Sequence, residues 1–483
     1  MKTNADMTHT QKLTRHILAF TNEDIPASAY DAATRLLLDT LGCALAGRRA
    51  PGVEAVIEQM RDWGGKPEAS LLFGEPGKLP MPNAAFANSA LIHAQDLDDV
   101  FTPGTALHLT SVIVPVMLAA AEASEASGRE ALAAMILGIE TAARIGVVGS
   151  SRQRSGGFLP STLVGSFGAV VTAARLLGLS HEQTVHALGI NYAQISGNRQ
   201  ALLDASLTKR LQPACAARSA LWATALAARG ITGPQRVSEG EAGYFTLYMN
   251  GEIPDAAEFL KPFDAFAIEY VSTKRYPSCG ACHSVQIAAE RLREEEHLEP
   301  ANIARVESFG IAPLVAEPFD LRDNPQVAAQ FSGAWAVAHT LLRGPATLAD
   351  YTDAAVRNDR EVCELTRAIK PVPAPADLPP PPELHPLLEG QDAKARRQGV
   401  IVYTRDGRRL MRSQAPCETF PLHPAPWAET EAKFNDCAAF ANLAPAQAAV
   451  LITQVKSIEV ADTVRFRVPN DEQPEKEHEN GYY

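Results

Sequence analysis

The chain has 483 residues, 46% of them hydrophobic and 21% charged, the balance of a soluble globular protein with material for two or three domains. A net charge of −12 argues against a general surface for nucleic acid or anionic membrane, so an anionic substrate must meet a local basic cluster. Seven cysteines, odd in number and scattered, predict reduced thiols rather than a disulfide framework.

The polar start, "MKTNADMTHTQKLTRH", lacks the apolar core of a secretory leader. The longest apolar run, around "SVIVPVMLAAAEA", is too short for a membrane span and contains Pro115. The expectation is a cytoplasmic protein that does not engage a membrane.

Helical periodicity dominates the first two-thirds. "AYDAATRLLLDTLGCALAG" ends at Gly47, and "LPMPNAAFANSALIHAQDLDDV" follows. Next come "SVIVPVMLAAAEASEASG", "REALAAMILGIETAARIG", "STLVGSFGAVVTAARLLG" and "SHEQTVHALGINYAQIS", the last capped by Ser180. "PACAARSALWATALAARG" is apolar nearly all round and predicts a buried helix.

The texture changes near residue 265. "ARVESFGIAPLVA" and "GVIVYTRDGRRLMRS" alternate as strands do, and Asp406-Gly407 signals a hairpin. "QVAAQFSGAWAVAHTLLRG" between them reads as one helix. The Pro-rich stretch 371–386 predicts an exposed, extended connection. Helical patterns return in "AETEAKFNDCAAFANL" and "PAQAAVLITQVKSIEV".

The expected fold is therefore mainly α with α+β. A helical domain begins at 1–265, an α+β lid spans 266–425, residues 426–470 return to the helical domain, and 471–483 form a charged tail.

Chemistry concentrates in "HAQDLDDVFTPGTALHLTS", which offers Asp96, Asp98, Asp99 and His108 at one helix end and loop. Carboxylates at a helix C-terminus oppose its dipole and need compensation. Asp96 and Asp99 have the spacing of a Mg²⁺-diphosphate motif, but no second metal motif accompanies them, so no metal is expected. Local caps and turn hydrogen bonds are the plainer account of at least one Asp.

The basic complement is Lys209-Arg210 in "LTKRLQPA" and Lys274-Arg275 in "KRYPSCGACHS". Such pairs are usually solvated, but these adjoin apolar or Pro/Gly-punctuated segments. Residues Cys279 to His283 match C-x-x-C-H, the pattern for c-type haem attachment. Haem attachment requires export. A redox dithiol wants a strand before it, which "IEYVSTKRYP" could supply, and a helix after it, which "SVQIAAERLREEE" fits. Zinc needs a second ligand pair, and the other cysteines show no C-x-x-C spacing. No nucleotide-binding glycine motif occurs. "SGGFLPSTLVGSFGA" could receive an anion at its helix start, although a plain loop-to-helix joint explains it as well.

Taken in order, "LLLDTLGCALAG", "NSALIHAQDLDDV", "GGFLPSTLVGSFGAVVTAARLLGLS", "LTKRLQPACAARSALWATALAARGITGP", "STKRYPSCGACHSVQIAA" and "PQVAAQFSGAWAVAHTLLRG" resemble the MmgE/PrpD family. That family includes 2-methylcitrate dehydratase, cis-aconitate decarboxylase and iminodisuccinate epimerase.

The resemblance implies a homodimer, no cofactor, and a cleft between helical and lid domains that binds a small di- or tricarboxylate. It assigns catalysis to His108, Lys209 and Asp96, with Asp96 orienting His108 or binding a substrate hydroxyl. It assigns substrate contact to Lys274, Leu159, Cys279, His283, Tyr276 and Val100, with His283 read mainly as a loop support. Leu159 stands where the family usually has histidine, and Gln212 also replaces a frequent histidine.

Two lysines suit a substrate with several carboxylates, and a histidine can move a proton near neutral pH. The expected function is a cofactor-independent lyase, first a dehydratase. The alternatives are an epimerase or racemase of an amino- or imino-dicarboxylate, a cis-aconitate-type decarboxylase, or a degraded carboxylate-binding protein.

Overall fold

The computed structural model describes residues 7–74, 77–149, 157–261, 263–316, 319–321 and 323–466. The expected charged tail, 471–483, lies outside the described residues, as do Ser155 and Gly156 of the loop before "FLPST". The fold is mainly helical with a small α+β part.

The first helices follow their sequence signals closely. His9–Leu18 begins with a capping box in which Thr8 and Gln11 exchange hydrogen bonds, and Ser180 and Gln183 do the same for His181–Tyr192. Ala27–Gly47, Met81–His93, Thr110–Ser124, Gly128–Gly149, Pro160–Leu176 and Leu211–Ala228 pack around one large core. That core also takes Phe434 and Cys437 of Trp427–Phe440 and Leu451 and Val455 of Pro445–Lys456, so the carboxyl-terminal helices pack with the amino-terminal ones.

Gly128–Gly149 is the one described helix long and apolar enough to cross a membrane, and it is almost wholly buried inside the protein. Small residues let it approach Pro160–Leu176 closely. A Cβ on Gly168 would lie 2.4 Å from the carbonyl oxygen of Gly138. Gly168→Val should therefore force the helices apart and cost about 3 kcal/mol or more, read as a lower midpoint in urea unfolding.

Leu211–Ala228 departs from its expectation. Its core face is buried, but Trp222 is 49% exposed and Cys215 and Arg218 are not fully buried. Ala-rich helices look apolar on every face, because alanine is as acceptable at a surface as in a core.

The smaller part has its own core, built on Val285, Leu292, Val306, Trp335, Leu341 and Val402. Its sheet has the order Lys370–Pro371, Ile303–Phe309, Gln398–Thr404, Arg409–Gln414. The first pair is parallel and the others antiparallel. Asp406-Gly407 turns the hairpin, with Gly407 at φ +90°. Gly280–Glu295 packs across the last two strands.

Two further expectations change here. "QVAAQFSGAWAVAHTLLRG" is two helices, Pro325–Gln330 and Gly333–Arg343, because the Ser332 hydroxyl caps the second by accepting from the Trp335 N–H. "IEYVSTKRYP" is not a strand; it holds a 3-10 turn, Ala267–Tyr270, and a single bridge from Ser272 to Val100. The Pro-rich stretch runs mostly exposed and contributes Pro371 to the sheet edge.

Candidate active site

Met81–His93 ends at its histidine, and residues 94–99 turn away beneath the start of the smaller domain. Asp96 sits at φ +52°, a left-handed conformation that costs a non-glycine residue roughly 1 kcal/mol and that Asp tolerates better than most. The surroundings hold it there. The Asp96 carbonyl accepts from Lys274 Nζ at 2.8 Å, and the preceding Gln95 carbonyl accepts from Gln330 Nε2 at 2.9 Å.

The Asp96 carboxylate is 3% exposed and lies between two ammonium groups. Lys209 Nζ donates to Oδ1, and Lys274 Nζ stands 3.3 Å from Oδ2. Burial pushes this carboxyl up, but the two lysines together outweigh it and hold Asp96 well below the usual carboxylate range. Burial pulls the Lys274 ammonium down, and Asp96 and Asp98 more than restore it. Both partners are thus charged at neutral pH.

Lys209 also donates to His93 Nε2 at 2.6 Å, while His93 Nδ1 lies 2.7 Å from Asp98 Oδ2. An ammonium can only donate, so Nε2 carries the lone pair and Nδ1–H donates to Asp98. Burial lowers the His93 pKa, and the imidazole lowers that of Asp98. The arrangement is a buried relay: carboxylate, neutral imidazole, ammonium, carboxylate.

His108 is placed differently from its expected role. Its Nδ1–H donates to the main-chain carbonyl of Asp99 at 2.6 Å, and its own N–H donates to Ser161 Oγ at 2.9 Å. Asp99, not Asp96, therefore orients the ring and leaves Nε2 as the lone-pair atom. Burial and the nearby Lys274 ammonium push its pKa down to about 3. His108 should remain neutral throughout pH 5–8; ¹⁵N NMR of the ring nitrogens is expected to show no protonation at pH 5.

Asp99 has a supporting role. Its carboxylate accepts from the N–H of Leu109 at 3.0 Å and from the N–H and hydroxyl of Thr110 at 2.9 and 2.6 Å. It fixes the chain that carries His108 into the start of Thr110–Ser124.

The other expected residues divide. Cys279 is buried at the N-cap of Gly280–Glu295, tied through its N–H to the Gln330 carbonyl at 2.9 Å, and burial pushes its thiol up. Val100 is buried and pairs through its backbone with Ser272. Leu159 precedes Pro160–Leu176, tied by its N–H to Gly197 at 3.1 Å, two residues from the Ser161 that touches His108. Gln212 faces Asn198 and holds that same loop.

Tyr276 points away from the lysines. Its hydroxyl donates to Glu290, which also accepts from Arg275 at 2.5 Å. His283 donates Nε2–H to the Ser278 carbonyl at 3.3 Å and packs between Tyr276 and Phe420. Those contacts engage the Tyr276 hydroxyl and His283 Nε2. The C-x-x-C-H residues are thus a helix start and its buried first turn.

His93 is the residue that sequence reading omits. Its signal is a lone histidine in the last turn of an Ala/Leu helix, three residues before Asp96. His93, Asp96 and Asp98 bring ligand atoms within 4.8 Å of one another, as a metal site would. In this arrangement the Lys209 ammonium bridges His93 and Asp96, so a lysine already supplies the cation. The mainly apolar pocket beside His9–Leu18, lined by Leu13, Ile17, Phe167 and Tyr244 among others, shares no residue with the site.

Two buried lysines thus gather on one carboxylate, beside a neutral imidazole. The chain belongs to the MmgE/PrpD family: residues 11–257 match the MmgE/PrpD N-terminal domain and residues 276–458 the C-terminal domain. Among curated relatives, it is 31% identical to the "cis-aconitate decarboxylase-like protein oryM" of Aspergillus oryzae over 59% of this chain and 61% of that one. It is 29% identical to cis-aconitate decarboxylase of Aspergillus terreus over 72% and 75% of the two chains. The human cis-aconitate decarboxylase is 29% identical over 71% and 72%.

Proposed function

We propose that this chain is a cofactor-independent lyase for a small di- or tricarboxylate, and that it breaks the bond between carbon and a departing carboxylate. The observation that carries the reading is the pair of ammonium groups on buried Asp96, next to the unprotonated Nε2 of His108. A substrate carboxylate competes with Asp96 for Lys274 and gains a desolvated cation. The names of the relatives favour loss of CO₂ over the loss of water that the sequence reading put first.

Loss of CO₂ leaves an electron pair that must end on carbon with a proton. Neutral His108 has none to give at Nε2, so Lys209 is the donor, and the His93–Asp98 pair holds it in place. His108 Nε2 can accept a hydrogen bond from a substrate carboxylic acid or take a proton in an elimination or epimerisation. Leu159 replaces a polar side chain with an apolar one near His108, which favours a substrate or substituent less polar than the common family ligands.

The test is NMR in D₂O with cis-aconitate, 2-methylcitrate and an iminodisuccinate-type compound. Decarboxylation yields a product with one carboxylate fewer and one deuterium on carbon. Water loss from 2-methylcitrate would return the dehydratase reading, and exchange of a C–H without net loss would make the chain an epimerase. Calorimetric binding of the panel without any change would indicate a carboxylate-binding protein. Should no compound bind or react, the assignment is wrong. We further propose a cytoplasmic homodimer, the latter read by light scattering.

A further inference from the structure

The turn at residues 95–99 has its carbonyl oxygens held from several directions. Gln330 holds that of Gln95, Lys274 that of Asp96, and His108 that of Asp99. The Leu97 carbonyl is held by Lys433, whose Nζ donates to it at 2.8 Å. Lys433 lies on Trp427–Phe440, more than three hundred residues away along the chain. Its ammonium also stands 2.6 Å from Asp39 Oδ1, on Ala27–Gly47, where Asp39 is 1% exposed.

Lys433 is half-buried and needs a counter-ion, which buried Asp39 supplies. Charge balance does not require the directed bond to Leu97. We propose that Lys433 is a positioning residue: it fixes the backbone next to Asp96 and so keeps the Asp96 carboxylate between Lys209 and Lys274. Asp96 is held at a left-handed φ, and a backbone in that state relaxes when a neighbouring restraint is lost. The effect on catalysis rests on the proposed function; the effect on the turn does not.

Two roles need separating. A purely structural ion pair is restored by neutralising both members, because removing a whole buried pair is often neutral for stability. The Leu97 bond is lost all the same. Asp39→Asn with Lys433→Met is therefore expected to melt near the wild-type temperature, with exchange of the amide hydrogens in 95–100 at least tenfold faster. Exchange in Gly128–Gly149 should be unchanged. In the same protein kcat on a turned-over polycarboxylate should fall at least tenfold, with KM within threefold.

Wild-type exchange in 95–100 overturns the proposal, as does wild-type kcat. If that pair does not fold, Asp39→Asn with Lys433→Gln, whose amide is too short to span to Leu97, must show the same faster exchange. The exchange measurement needs no substrate, so a wild-type protein inert towards the panel sinks the proposed function and still leaves the positioning role to be judged.

Discussion

Lys209→Met is expected to reduce kcat on the true substrate by about 10³-fold, roughly 4 kcal/mol of barrier. The ammonium touches His93 and Asp96 at once, so its removal takes away the proposed proton donor and the bridge between that imidazole and the Asp96 carboxylate. Methionine has nearly the same length and fills the volume, so the fold should persist. Circular dichroism establishes the fold and steady-state kinetics the loss. Turnover within tenfold of wild type would remove Lys209 from the chemistry.

The second large effect is on stability. Asp96→Asn leaves two buried ammonium groups without their shared carboxylate, and should cost about 3–5 kcal/mol. Asparagine tolerates the φ of +52°, so the backbone contributes little to that loss. Asp96→Ala adds the strain of a left-handed alanine, roughly 1 kcal/mol more. Urea unfolding of the two variants separates charge from conformation. If Asp96→Asn unfolds at the wild-type midpoint, Asp96 does not carry the counter-charge for both lysines.

Stability also depends on pH at this residue. The pKa of Asp96 is depressed in the folded state, so its contribution is fully present above the ordinary carboxylate pKa near 4. That contribution declines as pH falls below about 4, because the unfolded chain then takes up a proton that the folded site refuses. The wild-type acid midpoint should therefore move towards neutrality in Asp96→Asn.

Much of the fold was legible because its signals are local. Ser180 with Gln183 marks a helix start, and Asp406-Gly407 marks a hairpin, from a few adjacent letters. The ordered motifs likewise put Lys209, Lys274 and Asp96 in one site, and the three side chains do meet there. What escaped depends on three dimensions. Asp96 and Asp99 look alike in sequence, yet one faces two lysines and the other caps the next helix. Tyr276 lies two residues from Lys274, and its hydroxyl still goes to Glu290. His93 was hidden among alanines because nothing local shows that Lys209 comes to rest on it.

The carbonyls of residues 95 and 96 are held by Gln330 and Lys274, which belong to the smaller domain or its entry. The smaller domain therefore supplies part of the support on which Asp96 rests. Were substrate to enter by the smaller domain moving away, that movement would break the two bonds that hold the turn carrying Asp96. On that reading, a substrate carboxylate that reaches Lys274 would complete the site only around itself.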